Sequence, residues 1–133
     1  MGTGAGFPGA VLSIAGCENV TLVDSNGKKI NFLKQVKKDL LLNFNTTLGR
    51  LEKLNNLKYD VLTSRALANL DNLFSYSQKF LKKNTVMIFL KGKTVNKEIQ
   101  EAQKRWTFHF NKSQSASHVG GTLLVVRNLK KND

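Results

Sequence analysis

The residues with the clearest chemical meaning lie at the start of the chain, where glycine recurs in the segment GTGAGFPG. Glycine lets backbone N–H groups come close to a ligand, and the N-terminus of a following helix adds positive partial charge. The dinucleotide-binding pattern G-x-G-x-x-G would need glycine at position 7, where this chain has Phe7. A P-loop is excluded because no Gly-Lys-Ser/Thr follows. The segment therefore indicates a ligand held by backbone groups, and Phe7 argues against a dinucleotide-dependent oxidoreductase.

An acidic residue follows the glycine loop at an informative distance. Asp24 ends the next predicted strand, twenty residues after Gly4. Nucleotide sites of α/β proteins place a carboxylate at about this distance, where it accepts hydrogen bonds from the ribose hydroxyls. The alternative is that Asp24 caps the following helix, although Ser25 and Asn26 could serve equally well. The loop and the acid together favour a nucleoside-containing ligand.

Two periodicities alternate along the rest of the chain and predict the elements that position these groups. Helical spacing of apolar residues predicts helices over 8–15, 28–42, 70–81 and 95–106. Apolar and β-branched runs predict strands over 20–23, 44–48, 59–63, 85–90, 107–113 and 122–127. This alternation indicates an α/β fold with a mostly parallel sheet. The last two strands, joined through Gly120 and Gly121, predict an antiparallel hairpin at the C-terminus.

Composition limits the class of protein. The chain has 133 residues, which allows one domain, expected over 1–129 with a frayed tail at 130–133. Its 21 Lys and Arg against 9 Asp and Glu give a net charge of +12, which favours a polyanionic partner. A single cysteine excludes a disulfide scaffold, and His109 and His118 have no second ligand pair, so no metal site is predicted. No run of 18 apolar residues exists, so no transmembrane helix is predicted.

Longer blocks of sequence resemble a known family. In chain order they are GTGAGFPG, VTLVDSNGKKINFLKQV, GRLE, YDVLTSRALANLDNL and FLKGK, and they span residues 2 to about 93, whereas 94–133 match loosely. These blocks resemble the RsmG (GidB) family of S-adenosylmethionine-dependent methyltransferases, which act on N7 of a guanine, guanine-527, in 16S ribosomal RNA. The resemblance implies a Rossmann-like class I methyltransferase fold, the cofactor S-adenosyl-L-methionine, the small ribosomal subunit as partner, a monomer without membrane contact, and a cytoplasmic location.

The resemblance also implies roles for individual residues. The cofactor loop would be lined by Gly2, Gly4, Gly6 and Phe7. Asp24 would hold the ribose, and Leu51 and Glu52 of the GRLE block would flank the adenine. From the residues alone, Glu52 would more simply be explained by the dipole of a helix start.

Two cations are implied in catalysis. Arg65 would lie at the methionine end of the cofactor and in the catalytic cleft, and Lys91 would lie at the end of the strongest strand. The carboxyl ends of strands are where α/β clefts open, so Asp24, Arg65 and Lys91 are expected to share one rim. The alternatives are a structural ion pair for Arg65 and a solvated position for Lys91. The lysines of the helix over 28–42 would be a solvated face first and an RNA contact second.

The start of the chain carries a further expectation. In the family that the chain resembles, an apolar strand, preceded by a helical region, comes before the glycine loop, whereas here the loop follows Met1. We therefore expect an N-terminally truncated methyltransferase with poor stability and weak cofactor binding. The alternatives are an inactive fragment and a non-catalytic basic RNA-binding domain, and the net charge alone would favour the latter.

Overall fold

The computed structural model describes residues 1–4, 6–117 and 119–133, and it divides into two compact units. The N-terminal unit is Met1–Asn55 and the C-terminal unit is Asn56–Asp133. The first contains α1 (Gly9–Ile14), β1 (Val20–Asp24), α2 (Gly27–Asp39), β2 (Phe44–Leu48) and a 3-10 turn (Leu51–Lys53). The second contains β3 (Tyr59–Arg65), α3 (Leu70–Ser77), a 3-10 turn (Gln78–Phe80), β4 (Leu81–Lys91), α4 (Val95–Gln103), β5 (Trp106–Gln114) and β6 (Thr122–Lys131). The assignment of 1–129 to one methyltransferase domain stays a prediction.

The N-terminal unit is a β-α-β arrangement. β1 and β2 are parallel and pair from Val20↔Phe44 to Asp24↔Leu48, with α2 as the crossover helix. The buried side chains of this unit form one apolar cluster, which consists of Ala10, Leu22, Ile30, Leu33 and Phe44. The burial of this cluster fixes the register of β1 and therefore the place where its carboxyl end emerges.

The second helix ends earlier than its apolar pattern predicts. Its start is set by Asn26, whose Oδ1 accepts hydrogen bonds from the N–H groups of Lys28 and Lys29 at 3.0 and 3.2 Å. The predicted continuation of the helix to residue 42 is wrong, because α2 stops at Asp39, and Leu40 and Leu41 beyond it are 57% and 91% exposed. The chain must turn here to enter β2, and Leu41 makes that turn at φ +52°.

The C-terminal unit is a four-stranded sheet in the order β3-β4-β6-β5. β3 and β4 are parallel, whereas β6 runs antiparallel to both β4 and β5, so the predicted α/β class with a C-terminal antiparallel hairpin is confirmed. Phe74 of α3 packs edge-on against Trp106 and Phe108, with ring centroids 5.8 and 4.8 Å apart. Arranged in this way, the sheet brings the carboxyl ends of β3 and β4 to the same edge.

Three predicted boundaries in this unit are corrected. The helix predicted over 95–106 ends at Gln103, and Trp106 begins β5. The helical pattern over 70–81 breaks after Ser77, and Leu81 begins β4 instead of ending a helix. The tail expected at 130–133 begins later, because Lys130 and Lys131 pair with Thr107 and Trp106 in the β5–β6 ladder. The N–H of Asn132 also donates to the carbonyl of Arg105 at 2.8 Å. Backbone pairing thus holds a segment whose charged side chains alone indicated fraying.

Candidate functional site

The glycine loop and Asp24 are joined directly in the N-terminal unit. The N–H of Gly4 donates to Oδ2 of Asp24, with 2.9 Å between the two atoms. The N–H of Asn26 donates to Oδ1 of the same carboxylate, also at 2.9 Å. Asp24 is 8% exposed at the end of β1, while Asn26 is the residue that caps α2. The alternative interpretation of Asp24 as the helix cap is therefore wrong, and its carboxylate instead fixes the loop.

The glycines of the loop differ in what surrounds them. A Cβ on Gly9 would lie 1.8 Å from Cδ2 of Leu22, so this glycine allows α1 to pack on β1. A Cβ on Gly6 would lie 2.8 Å from Cβ of Ala10, which again serves packing. Gly4 has φ +54° and no heavy atom within 4 Å of where a Cβ would be. The open side of the loop is therefore at Gly4, beside the carboxylate of Asp24.

The carboxylate of Asp24 has acceptor capacity left. Each of its oxygens accepts one backbone N–H, and a carboxylate offers about four lone-pair positions in all. Burial lowers the pKa of the α-amino group of Met1 to about 6, and the negative charge of Asp24 opposes part of that fall. The negative charge of Asp24 is therefore felt by the α-amino group of Met1, and its carboxylate keeps lone pairs for further donors.

The other predicted cofactor residues lie in the glycine loop and in the 3-10 turn after β2. Gly2 is half-buried with φ +58°, and Phe7 is 52% exposed. Leu51 is buried and Glu52 is exposed in the 3-10 turn that follows β2. The N–H of Gly49, the first residue of the GRLE block, donates to the backbone carbonyl of Asp24 at 3.0 Å. The loop, the acid and the start of the GRLE block are thus brought together within the N-terminal unit.

The two predicted catalytic cations lie on neighbouring strands of the C-terminal unit. Arg65 is exposed at the end of β3 and pairs in register with Leu90 of β4, the residue before Lys91. Their backbones thus lie at the same edge of the sheet, as the sequence predicts. Asp24 belongs to the other unit, and the rim that it was expected to share with these cations stays a prediction.

Lys91 is held in a buried ion pair. Its Nζ lies 2.7 Å from Oε2 of Glu98 and 2.9 Å from the carbonyl oxygen of Ala68, and its side chain is only 7% exposed. The alternative of a solvated Lys91 is therefore wrong. The same carboxylate accepts the N–H of Leu70 at 2.9 Å and the hydroxyl of Thr94 at 3.0 Å. Lys91 and Glu98 thus tie the segment after Arg65 to the end of β4 and the start of α4.

Sequence reasoning missed Glu98, although one signal was available. It is the acid in the first turn of α4, seven residues after Lys91, but its partner depends on how the helix is rotated on the sheet. Within the described ranges, no group of three or more His, Cys, Asp or Glu could hold a metal ion, and His118 lies outside those ranges. No helix of the described part of the chain is both long and apolar enough to cross a bilayer.

Comparison with known proteins adds sequence relatives. The profile of the family described as GidB, rRNA small subunit methyltransferase G, matches residues 1–128. The ribosomal RNA small subunit methyltransferase G of Hyphomonas neptunium is 35% identical over 135 residues, which cover 100% of this chain and 65% of that protein. The protein of the same name from Rickettsia prowazekii is 37% identical over 131 residues, which cover 98% of this chain and 68% of that protein. The chain thus spans 65% and 68% of the length of these two relatives.

Solved structures establish the fold. The ribosomal protein L11 methylase from Lactobacillus delbrueckii subsp. bulgaricus aligns with a TM-score of 0.74 at 16% identity, covering 94% of this chain and 66% of that one. A TehB-like SAM-dependent methyltransferase from Corynebacterium glutamicum aligns with a TM-score of 0.67 at 15% identity, covering 95% of this chain and 76% of that one. The chain therefore has the Rossmann-like α/β fold of class I methyltransferases.

Proposed function

The chain belongs to the GidB family of rRNA small subunit methyltransferase G, and from that premise we propose that it methylates N7 of a guanine, guanine-527, in 16S rRNA. S-adenosyl-L-methionine would supply the methyl group, which it carries on a positively charged sulfur. The observation that carries the proposal is the hydrogen bond from the N–H of Gly4 to Oδ2 of Asp24. It joins a loop that is open at Gly4 to a carboxylate whose remaining lone pairs suit two adjacent ribose hydroxyls.

The residues of the N-terminal unit would bind the cofactor. Asp24 would accept hydrogen bonds from the ribose, and the N–H groups of the glycine loop would approach from the open side of Gly4. Leu51 is buried and could cover one face of the adenine, while Glu52 is exposed next to it and could accept from an adenine N–H. Gly2, Gly6 and Phe7 would complete the loop. The residues present therefore fit a nucleoside-containing cofactor.

The reaction would need no general base. Guanine N7 is an acceptor in the major groove and carries no proton. Its lone pair forms the new bond to the methyl carbon while the bond from carbon to sulfur breaks and its electrons return to sulfur. The positive charge of the sulfur thus passes to the guanine ring. The protein would contribute by aligning N7 with the methyl group and by excluding water.

Arg65 and Lys91 would contribute in different ways. A guanidinium stays protonated and only donates hydrogen bonds, so Arg65, exposed at the end of β3, would orient an acceptor of the substrate. The ammonium of Lys91 forms an ion pair with Glu98 and donates a hydrogen bond to the carbonyl of Ala68. It would therefore act through the segment after Arg65 and not on the reacting atoms.

Removing the cation at position 65 is expected to reduce methyl transfer more than removing a lysine from α2. We expect Arg65→Ala to lower turnover by about 100-fold, since loss of a positioning contact can cost that much. Lys34→Ala, which removes an exposed charge from α2, is the matched control and should change turnover by less than threefold. Transfer of labelled methyl groups from S-adenosylmethionine to 16S rRNA measures both variants. Full turnover by Arg65→Ala would contradict the role of Arg65.

A second function is favoured by the charge of the C-terminal unit. Residues 56–133 contain fourteen Lys and Arg against five Asp and Glu, a difference of +9, which suits non-catalytic RNA binding. Calorimetric titration with S-adenosylmethionine separates the two functions. We expect saturable binding to one site per chain, and methyl transfer from the labelled cofactor to 16S rRNA. Binding of RNA without any binding of the cofactor would overturn the methyltransferase proposal in favour of the second function.

A further inference from the structure

A polar cavity of about 330 Å³, widely open to solvent, lies beyond the carboxyl end of β4 in the C-terminal unit. Its walls come from residues 92–96 and from the adjoining ends of β5 and β6. Strand register explains why these segments meet, because Thr122 pairs with Lys91 on one side and with Gln114 on the other. Arg65 lies at the same edge, since it pairs with Leu90. The cavity is thus formed by the ends of the strands, next to the end of β3, where Arg65 would orient the substrate.

The charge of the cavity is positive. Lys93 and Lys112 line it, and none of the described residues around it is acidic. Lys82, Lys91, Lys104 and Arg105 form ion pairs with carboxylates among the described residues, whereas Lys93 and Lys112 do not. Nζ of Lys112 donates to Oδ1 of Asn96 at 2.6 Å, and this neutral partner leaves its charge uncompensated. An anion is therefore the ligand that this lining favours.

The side chain of Lys93 passes close to a glycine. Gly120 has φ +79°, and a Cβ there would lie 3.0 Å from Cε and 3.3 Å from Cγ of Lys93. The aliphatic stem of the lysine thus lies against the backbone of the turn between β5 and β6. A side chain at position 120 would be strained at this φ and would crowd the stem of Lys93. Both lysines are therefore positioned on the cavity wall by contacts with neighbouring segments.

The uncharged polar residues of the cavity indicate which kind of anion it would bind. Asn96, Ser113 and Gln114 contribute hydroxyl and amide groups that donate and accept hydrogen bonds. Such groups together with lysine make the contacts to phosphate and sugar that position a protein on a nucleic acid. The volume leaves room for the sugar next to a phosphate.

We propose that this cavity binds a backbone phosphate of the RNA substrate through Lys93 and Lys112. The inference rests on the proposed function, because the bound phosphate would anchor the RNA at the edge where Arg65 and Lys91 lie. Binding here would be independent of base sequence. The bound phosphate would lie at a set distance from the base that enters the methylation site.

The test compares three substitutions that each remove one positive charge from the C-terminal unit. Lys93→Gln and Lys112→Gln change the cavity, and Lys83→Gln is the control, since Lys83 is exposed near the opposite end of β4. Affinity for a transcribed 16S rRNA fragment is measured across a range of salt concentrations. We expect each cavity variant to lower the slope of log K against log[salt] by about one, and the control to leave it unchanged.

A further variant distinguishes RNA binding at this cavity from general electrostatic attraction of RNA to a basic surface. Gly120→Ala keeps every charge but crowds the stem of Lys93, so it should weaken RNA binding while Lys83→Gln does not. Equal effects of all three lysine substitutions would overturn the inference. If the wild type still transferred methyl groups in that case, the proposed function would stand. A wild-type chain that bound neither the cofactor nor RNA would overturn both.

Discussion

Glu98→Ala is expected to destabilise the C-terminal unit by about 3 kcal/mol. The carboxylate of Glu98 forms an ion pair with Nζ of Lys91 at 2.7 Å. It also accepts hydrogen bonds from the N–H of Leu70 at 2.9 Å and from the hydroxyl of Thr94 at 3.0 Å. Its removal would leave an ammonium that is only 7% exposed without its counter-charge. Breaking a buried ion pair from one side costs about 3–5 kcal/mol, and the partial exposure of Glu98 places the loss at the lower end.

The measurement can be confined to the unit concerned. Trp106 is the single tryptophan of the chain and is buried in the C-terminal unit, so its fluorescence during urea unfolding reports on residues 56–133. The control is Glu101→Ala on the same helix, which removes an exposed pair with Lys104 and should cost about 0.5 kcal/mol or less. If the two variants lost the same stability, the buried pair would contribute nothing beyond a surface contact.

A double substitution tests whether the pair of Lys91 and Glu98 contributes to methyl transfer. Lys91→Met combined with Glu98→Leu removes both charges and should recover the part of the stability that was lost through the unpaired ammonium, because an apolar pair can replace a buried ion pair. The N–H of Leu70 lacks its acceptor in this variant too. Under conditions where this double variant is folded, we expect kcat for methyl transfer to fall, whereas KM for S-adenosylmethionine stays as in the wild type. Unchanged kcat would limit Lys91 and Glu98 to a structural role.

The cofactor half of the candidate site could be predicted because its information is local. Gly4 and Asp24 are separated by one helix and one strand, and a β-α turn at this spacing leaves few arrangements for them. The structure adds that the two residues share a hydrogen bond, and it separates Gly4, which faces open space, from Gly9, which packs on Leu22. That distinction depends on side chains twelve or more residues away, which no local pattern contains.

The partner of Lys91 could not be predicted for a related reason. The apolar run of β4 predicts a strand, but it does not indicate which way the polar residue at its end turns. That direction depends on the rotation of α4, whose buried face of Val95, Ile99 and Ala102 sets Glu98 beside the strand end. The contact between Lys112 and Asn96 could not be predicted for the same reason. The two side chains meet because of how β5 is aligned on β6 and β6 on β4. Long-range pairing, not propensity, decides these contacts.

Asp24→Asn is expected to weaken binding of S-adenosylmethionine by about 100-fold. The wild-type carboxylate accepts the N–H groups of Gly4 and Asn26. An amide replaces one of these acceptors by a donor, so one backbone N–H would face an NH₂ group and lose its partner. The charge that strengthens hydrogen bonds to the ribose would also be lost, and bonds to charged groups contribute about 1.5–3 kcal/mol. At about 1.4 kcal/mol for each tenfold change, this corresponds to one to two orders of magnitude in Kd.

Calorimetry measures this loss, and Asp39→Asn serves as the control because its carboxylate is exposed on α2. Contact with the ribose is separated from collapse of the loop by a cofactor analogue that lacks the 2′-hydroxyl. The wild type should bind this analogue more weakly than the cofactor, whereas Asp24→Asn should bind both alike, because the interaction removed from the ligand is already absent from the protein. If the variant instead lost affinity for both ligands by the same factor, Asp24 would act only by holding Gly4 in place, and another group would have to bind the ribose.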